Sequence, residues 1–137
     1  MDFLRRIARA LARPGLPAME ELGVKEMRSL EDLDSALAAS QSEPMFLFKH
    51  STVCPISAAA RDAVGEFLRG AGAAAPAFRL VKVIESRPVS NAIAERLGVQ
   101  HQSPQLILVK AGQAVWSASH GAIQPSAIEQ ALAAAMR

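Results

Sequence analysis

The sequence predicts an α/β fold, with a central mixed sheet flanked by helices, ending in a β-hairpin and a C-terminal helix. Three observations predict it. From Gly23 onward, short apolar or alternating runs suited to strands take turns with segments whose apolar residues recur at helical spacing. Near the C-terminus QLILVK, an Ala-Gly turn and QAVWSAS follow one another directly, as in a hairpin. The chain has 137 residues, half of them apolar, which suits one domain with its own core. Aromatic residues are few, five Phe and one Trp with no Tyr, so Ala, Leu, Val and Ile must fill most of that core.

The elements follow in order. DFLRRIARALA, residues 2–12, sets Phe3, Leu4, Ile7 and Leu11 at helical spacing with arginines between them, and Pro14, Gly15 and Pro17 end the pattern. Arg5, Arg6, Arg9 and Arg13 against Asp2 give residues 1–13 a local charge of +3, while the rest of the chain sums to −1. Residues 1–22 are therefore expected to be a basic extension, either flexible or a short amphipathic helix able to touch an anionic membrane or a partner. Isolated helices below about 12–15 residues are marginal in water. Residues 23–137 are expected to be the folded domain.

Within that domain GVKEM suits a short first strand. Ser29 suits a helix N-cap, with Asp32 three positions on and Leu30, Leu33 and Leu37 forming a stripe. PMFLFKH (44–50) reads as a buried strand and Pro55 to Arg69 as a helix. AFRLVKVIE (77–85) alternates, which makes it a strand with Phe78, Leu80 and Val83 as candidates for burial. Ser90 is expected to cap a helix through Leu97, closed by Gly98. The hairpin strands 105–110 and 113–119 follow, with Trp116 expected to pack on the sheet. A last helix runs from Pro125 to Met136 with proline in its first turn. The order is β, α, β, α, β, α, β, β, α.

Composition excludes several classes. One cysteine rules out an intramolecular disulfide and hence a disulfide-stapled secreted fold. The folded part is not basic, so no nucleic-acid footprint is expected. No secretory signal is visible, and no apolar run approaches the roughly 20 residues of a membrane span. A cytoplasmic, reducing compartment is the expectation.

The one cysteine stands in KHSTVCPISAAA, residues 49–60. Cys54 follows a strand and directly precedes a helix that opens with Pro55. Proline is favoured at a first helical position because its missing N–H would have had no partner there. The next amides are unpaired and point back toward the helix start, where the dipole places about half a positive charge. That environment favours thiolate, the nucleophilic form of cysteine. A helix end is worth about 0.3–2 kcal/mol to a nearby anion, so further donors are expected from backbone amides and from the Ser57 hydroxyl one turn on. Lys49 and His50 close the preceding strand, and alternation sends them to opposite faces. A free cysteine is often a small buried apolar residue, but the turn from a strand into a helix at a sheet's C-terminal edge is where α/β folds place functional groups.

A strand followed by Cys-Pro-x-Ser and a helix resembles the active-site loop of thioredoxin-fold proteins, with Ser57 in place of a second cysteine. FKHSTVCPIS, ESRPVSNAIAERLGV and HQSPQLILVKAGQAVWSASHGAI resemble the monothiol bacilliredoxins over roughly residues 24 to 136. The resemblance implies a thioredoxin fold and removal of bacillithiol, a small cytoplasmic thiol, from protein mixed disulfides. Cys54 would be the attacking nucleophile, with Ser57 where dithiol relatives have a resolving cysteine. Pro55, which follows the sulfur in the same loop, would be a substrate-binding residue together with Pro104. Ser103-Pro104 matches the loop whose proline is cis and lies against the active cysteine, and the backbone of Ser103 would pair with bound substrate. No bound cofactor is implied, bacillithiol being a co-substrate. The partners would be bacillithiolated client proteins and a low-molecular-weight thiol.

Of the three histidines, His101 and His120 are candidates for recognising the carboxylates of bacillithiol's malate group. Their spacing with His50 fits no compact zinc motif, so no metal is expected. Two other readings of the chain stand beside the first. One is a glutathione-using monothiol glutaredoxin-like carrier or iron–sulfur assembly protein. The other is a non-catalytic thioredoxin-fold binding module that docks through its arginine segment.

Overall fold

A computed structural model describes residues 18–137, and the basic segment of residues 1–13 lies outside them. Five strands form one sheet: β1 (Lys25–Glu26), β2 (Met45–His50), β3 (Ala77–Lys82), β4 (Gln105–Lys110) and β5 (Gln113–Ser119). Their spatial order is β1-β3-β2-β4-β5. β1, β3 and β2 run parallel, while β4 is antiparallel to both β2 and β5. Four helices connect or close them: α1 (Leu30–Ala39), α2 (Pro55–Ala71), α3 (Arg87–Leu97) and α4 (Pro125–Ala135). The expected order of strands and helices is the observed one.

β2 is central, and all six of its residues are buried. Such a strand must be apolar on both faces, which is why MFLFKH reads as a run rather than an alternation. Phe46 and Phe48 join Ala60, Val64 and Leu68 of α2 and Ile128 and Ala131 of α4 in one core cluster. Met45 and Leu47 join Leu33 and Ala36 of α1 and Val89 and Ile93 of α3 in the other. Phe46 stacks on Phe78 with centroids 4.6 Å apart, and Trp116 meets it edge-on at 6.3 Å. Both faces of the sheet are therefore covered.

Local boundaries differ from expectation at four places. β3 ends at Lys82 rather than at residue 85, because the chain turns there and the Ser86 amide donates back to the Lys82 carbonyl. Val81 is buried, while Val83 is only half-buried because it lies in the turn beyond the end of β3. The cap of α3 is Ser86, not Ser90. The helix starts ahead of Pro88, which is tolerated in a first turn, and Ser90 is buried inside the helix with its hydroxyl unpartnered. α2 runs past Arg69 to Ala71, and α4 stops at Ala135.

Elsewhere the local chemistry acts as read. Ser29 and Asp32 form a reciprocal capping box at α1. The β4–β5 turn has Ala111 and Gly112 at φ +52 and +76, the two left-handed residues of a tight hairpin. A side chain on Gly112 would stand 2.9 Å from Gln41 Nε2. The 3-10 turn Met19–Leu22 packs against α2, with Met19 buried in its cluster, so the packed body reaches back past Gly23. No helix among the described residues is long and apolar enough to cross a membrane.

Candidate thiol site

The antiparallel pairing of β2 with β4 sets Lys49 opposite Gln105. The C-terminal end of β2 and the N-terminal end of β4 therefore lie side by side at one edge of the sheet. β2 leads through Ser51–Val53 to Cys54, and β4 is preceded by the Ser103–Pro104 pair, whose peptide bond is cis. The topology thus brings the Cys54 loop and the proline loop together.

Cys54 is the N-cap of α2, with extended backbone angles (φ −105, ψ 122), and Pro55 is the first helical residue. The Cys54 carbonyl accepts the Ala58 amide at 3.1 Å and so opens the helix. No side chain caps the first turn, which leaves its amides to face whatever negative charge comes to the helix start. The cysteine is half-buried and unpaired. Its neighbours Val53 and Ile56 are exposed, 76% and 53% respectively, an apolar rim around the sulfur.

Ser57 is fully buried and does not do what was expected of it. Its hydroxyl oxygen accepts the Ser51 amide at 2.9 Å and shares a hydrogen bond of 2.7 Å with His50 Nδ1. Among the described residues it makes no hydrogen bond to the sulfur. Ser57 instead ties the end of β2 to the first turn of α2. Burial, then the positive fields of Arg61 and Lys82, holds His50 below the usual histidine range, so the ring is neutral at neutral pH.

Lys49 lies on the opposite face from His50, as alternation requires, and has no exposed surface. Its Nζ is 3.1 Å from Nδ1 of His101. Burial pulls the ammonium down to about 8. His101 is also held low, by burial first and then by the charges of Lys49 and Arg87. Gln105, buried at the start of β4, braces the same loop. Its amide donates to the Gln100 carbonyl at 3.0 Å, and its side-chain oxygen accepts the Gln102 amide at 3.4 Å. Sequence reasoning weighed Lys49 only as a source of positive field beside Cys54 and did not pair it with His101. The available signal was a lysine inside the apolar run MFLFKH.

His120 is exposed with φ +53. Its amide donates to the Pro104 carbonyl at 3.1 Å, so its backbone holds the cis loop while its ring has no hydrogen bond among the described residues. Ser103 lies outside the strand ladders, and no loop bond among the described residues takes up its amide or carbonyl. His50, His101 and His120 do not converge, and the described residues contain no group of three His, Cys, Asp or Glu side chains able to hold a metal ion.

Comparison with known proteins adds to this geometry. The family model "Monothiol bacilliredoxin BrxC" matches residues 25–128. A solved thioredoxin-fold structure described as a candidate oxidoreductase is 31% identical with a TM-score of 0.70, over 79% of this chain and 92% of that one. Thioredoxin of Fasciola hepatica is 11% identical with a TM-score of 0.66, over 81% and 98% of the two chains. Thioredoxin of Trypanosoma brucei brucei is 14% identical with a TM-score of 0.65, over 90% and 96%. The two thioredoxins share the fold, and the family match spans every strand.

Proposed function

This chain belongs to the monothiol bacilliredoxin family, and on that premise we propose that it removes bacillithiol from protein mixed disulfides in the cytoplasm, using Cys54. The observation that carries the reading is the placement of the only thiol at the uncapped start of α2, on the sheet edge shared with the cis Ser103–Pro104 loop.

Each part of the site has a task in that reaction. The first-turn amides of α2 stabilise negative charge at the sulfur. Val53 and Ile56 give a client an apolar surface to rest on. The unbonded backbone of Ser103 pairs with the client's extended chain. Cys54 thiolate attacks the bacillithiol sulfur of a client–S–S–bacillithiol bond, and that bond breaks. The client sulfur leaves as thiolate and takes a proton from water. Cys54–S–S–bacillithiol has formed, so one disulfide replaces another with no net oxidation. No second cysteine exists to resolve it. The thiol of a free small molecule or of another oxidoreductase attacks the bacillithiol sulfur next, carrying bacillithiol away as a new disulfide and restoring Cys54.

Client thiol release by wild type and by Cys54→Ala tests the reading. We expect the alanine variant to lose the exchange while its circular dichroism and thermal unfolding stay those of wild type. Undiminished release by a folded Cys54→Ala protein would refute it.

A further inference from the structure

Sulfur exchange alone gives no reason for the Lys49–His101 pair. Lys49 leaves a central strand into the core, is fully buried, and meets one ring nitrogen at 3.1 Å. No ion pair among the described residues neutralises it. His101 stands three residues before Pro104, on the loop that carries the cis bond, and is exposed. An ammonium has only hydrogens to offer, so His101 Nδ1 is the acceptor. The neutral ring then carries its proton on Nε2, and it is held in that one tautomer. Behind the ring stands the charge of Lys49, mostly protonated at pH 7 because its titration lies at about 8. Arg87, at the start of α3, adds to the positive field at His101. Gln105 fixes the loop through Gln100 and Gln102. A donor N–H backed by a buried cation, beside the proline loop, suits an anion with hydrogen-bond acceptors.

We propose that His101 and Lys49 form a carboxylate-recognition subsite for the low-molecular-weight thiol, with His101 Nε2–H as the contacting donor and Lys49 as the positioning residue that orients and charges it. This rests on the reading that Cys54 exchanges disulfides with an anionic thiol, and it names the part of the chain that selects that thiol. His120, whose ring has no partner and whose backbone holds Pro104, is not required.

The test compares second-order rates of Cys54 mixed-disulfide formation with bacillithiol disulfide and with its malate methyl ester. Glutathione disulfide and its methyl ester form a second pair. For wild type we expect the free acid to react roughly tenfold faster than the ester, as one charge-assisted hydrogen bond allows. Lys49→Met and His101→Leu should each bring that ratio toward one. His101 is exposed, so His101→Leu tests the subsite even if the buried Lys49 variant folds poorly. Nitrogen-15 spectra should show His101 as the Nε2–H tautomer in wild type and as a tautomer mixture in Lys49→Met, a change that loss of packing alone would not produce. A wild-type ratio near one, an unaltered ratio in a folded His101→Leu protein, or equal losses for acid and ester would overturn the subsite. If wild type ignores bacillithiol disulfide yet keeps the acid preference with glutathione disulfide, the bacillithiol reading fails and the subsite stands.

Discussion

Ser57, which the family resemblance sets where dithiol relatives have a second cysteine, has bonds that run to His50 Nδ1 and the Ser51 amide. Both partners are buried. Removing the hydroxyl leaves a ring nitrogen and a backbone N–H unsatisfied, which costs about 1–3 kcal/mol. We therefore expect Ser57→Ala to lose stability in that range in urea unfolding, and a loss below roughly 0.5 kcal/mol would show that the hydroxyl is not holding the turn. The placement of Cys54 and Pro55 was legible in the sequence because each residue type marks a backbone position, the helix start. The partners of Ser57 and Lys49 were not. Lys49 and His101 lie 52 residues apart, and only the pairing of β2 with β4 brings their segments together. Local spacing carries no trace of such a contact.

Among elements, the capping box at Ser29 was readable because its two halves sit within one turn and satisfy each other. The start of α3 was misread because Ser90 has the right residue type in a plausible position, while Pro88 suits a first turn that begins earlier. Val83 was misread because β3 stops at Lys82, where the chain turns and the Ser86 amide donates back to the Lys82 carbonyl, so the residue lies beyond the strand. The hairpin was read correctly from its Ala-Gly turn, but Ala111 is strained there at φ +52, a region that disfavours residues with a Cβ. Asparagine tolerates it, and Asn-Gly is a favoured pair for this turn. We expect Ala111→Asn to raise stability by about 0.5–1 kcal/mol. A lowered melting temperature would mean that the turn is held by something other than its own backbone preference. The obvious contributors are the Ala111 and Gly112 amides, both of which donate to Ser40.

Across the whole molecule, helices on both faces force β2 to be buried along its length, so its last two polar residues titrate from inside the fold. Lys49 titrates at about 8 when folded and at 10.5 in its ordinary state. Between those values the unfolded chain binds more protons, so this site's contribution to stability is full above 10.5 and is lost as pH falls toward 8. Replacing a buried charge by an apolar group of similar volume is often neutral or stabilising. Lys49→Met should therefore be at least as stable as wild type at pH 7, with its advantage shrinking as pH rises through 8 to 10.5. A difference independent of pH across that window would mean that burial does not lower the Lys49 titration from its ordinary value. His50 and His101 are both held below the ordinary 6.5. They contribute stability that is full above that value and is lost as pH falls through their folded titrations.

The order of strands and helices was legible throughout because each segment's period matched its place in a sheet covered on both sides. The proposed exchange rests on a single sulfur. The most direct measurement is intact-mass spectrometry of the reduced protein mixed with a bacillithiolated client. We expect one bacillithiol adduct per chain, located at Cys54, with an equal amount of client thiol set free. A protein that stays folded with Cys54 unmodified, while the client keeps its bacillithiol, would contradict the proposed exchange.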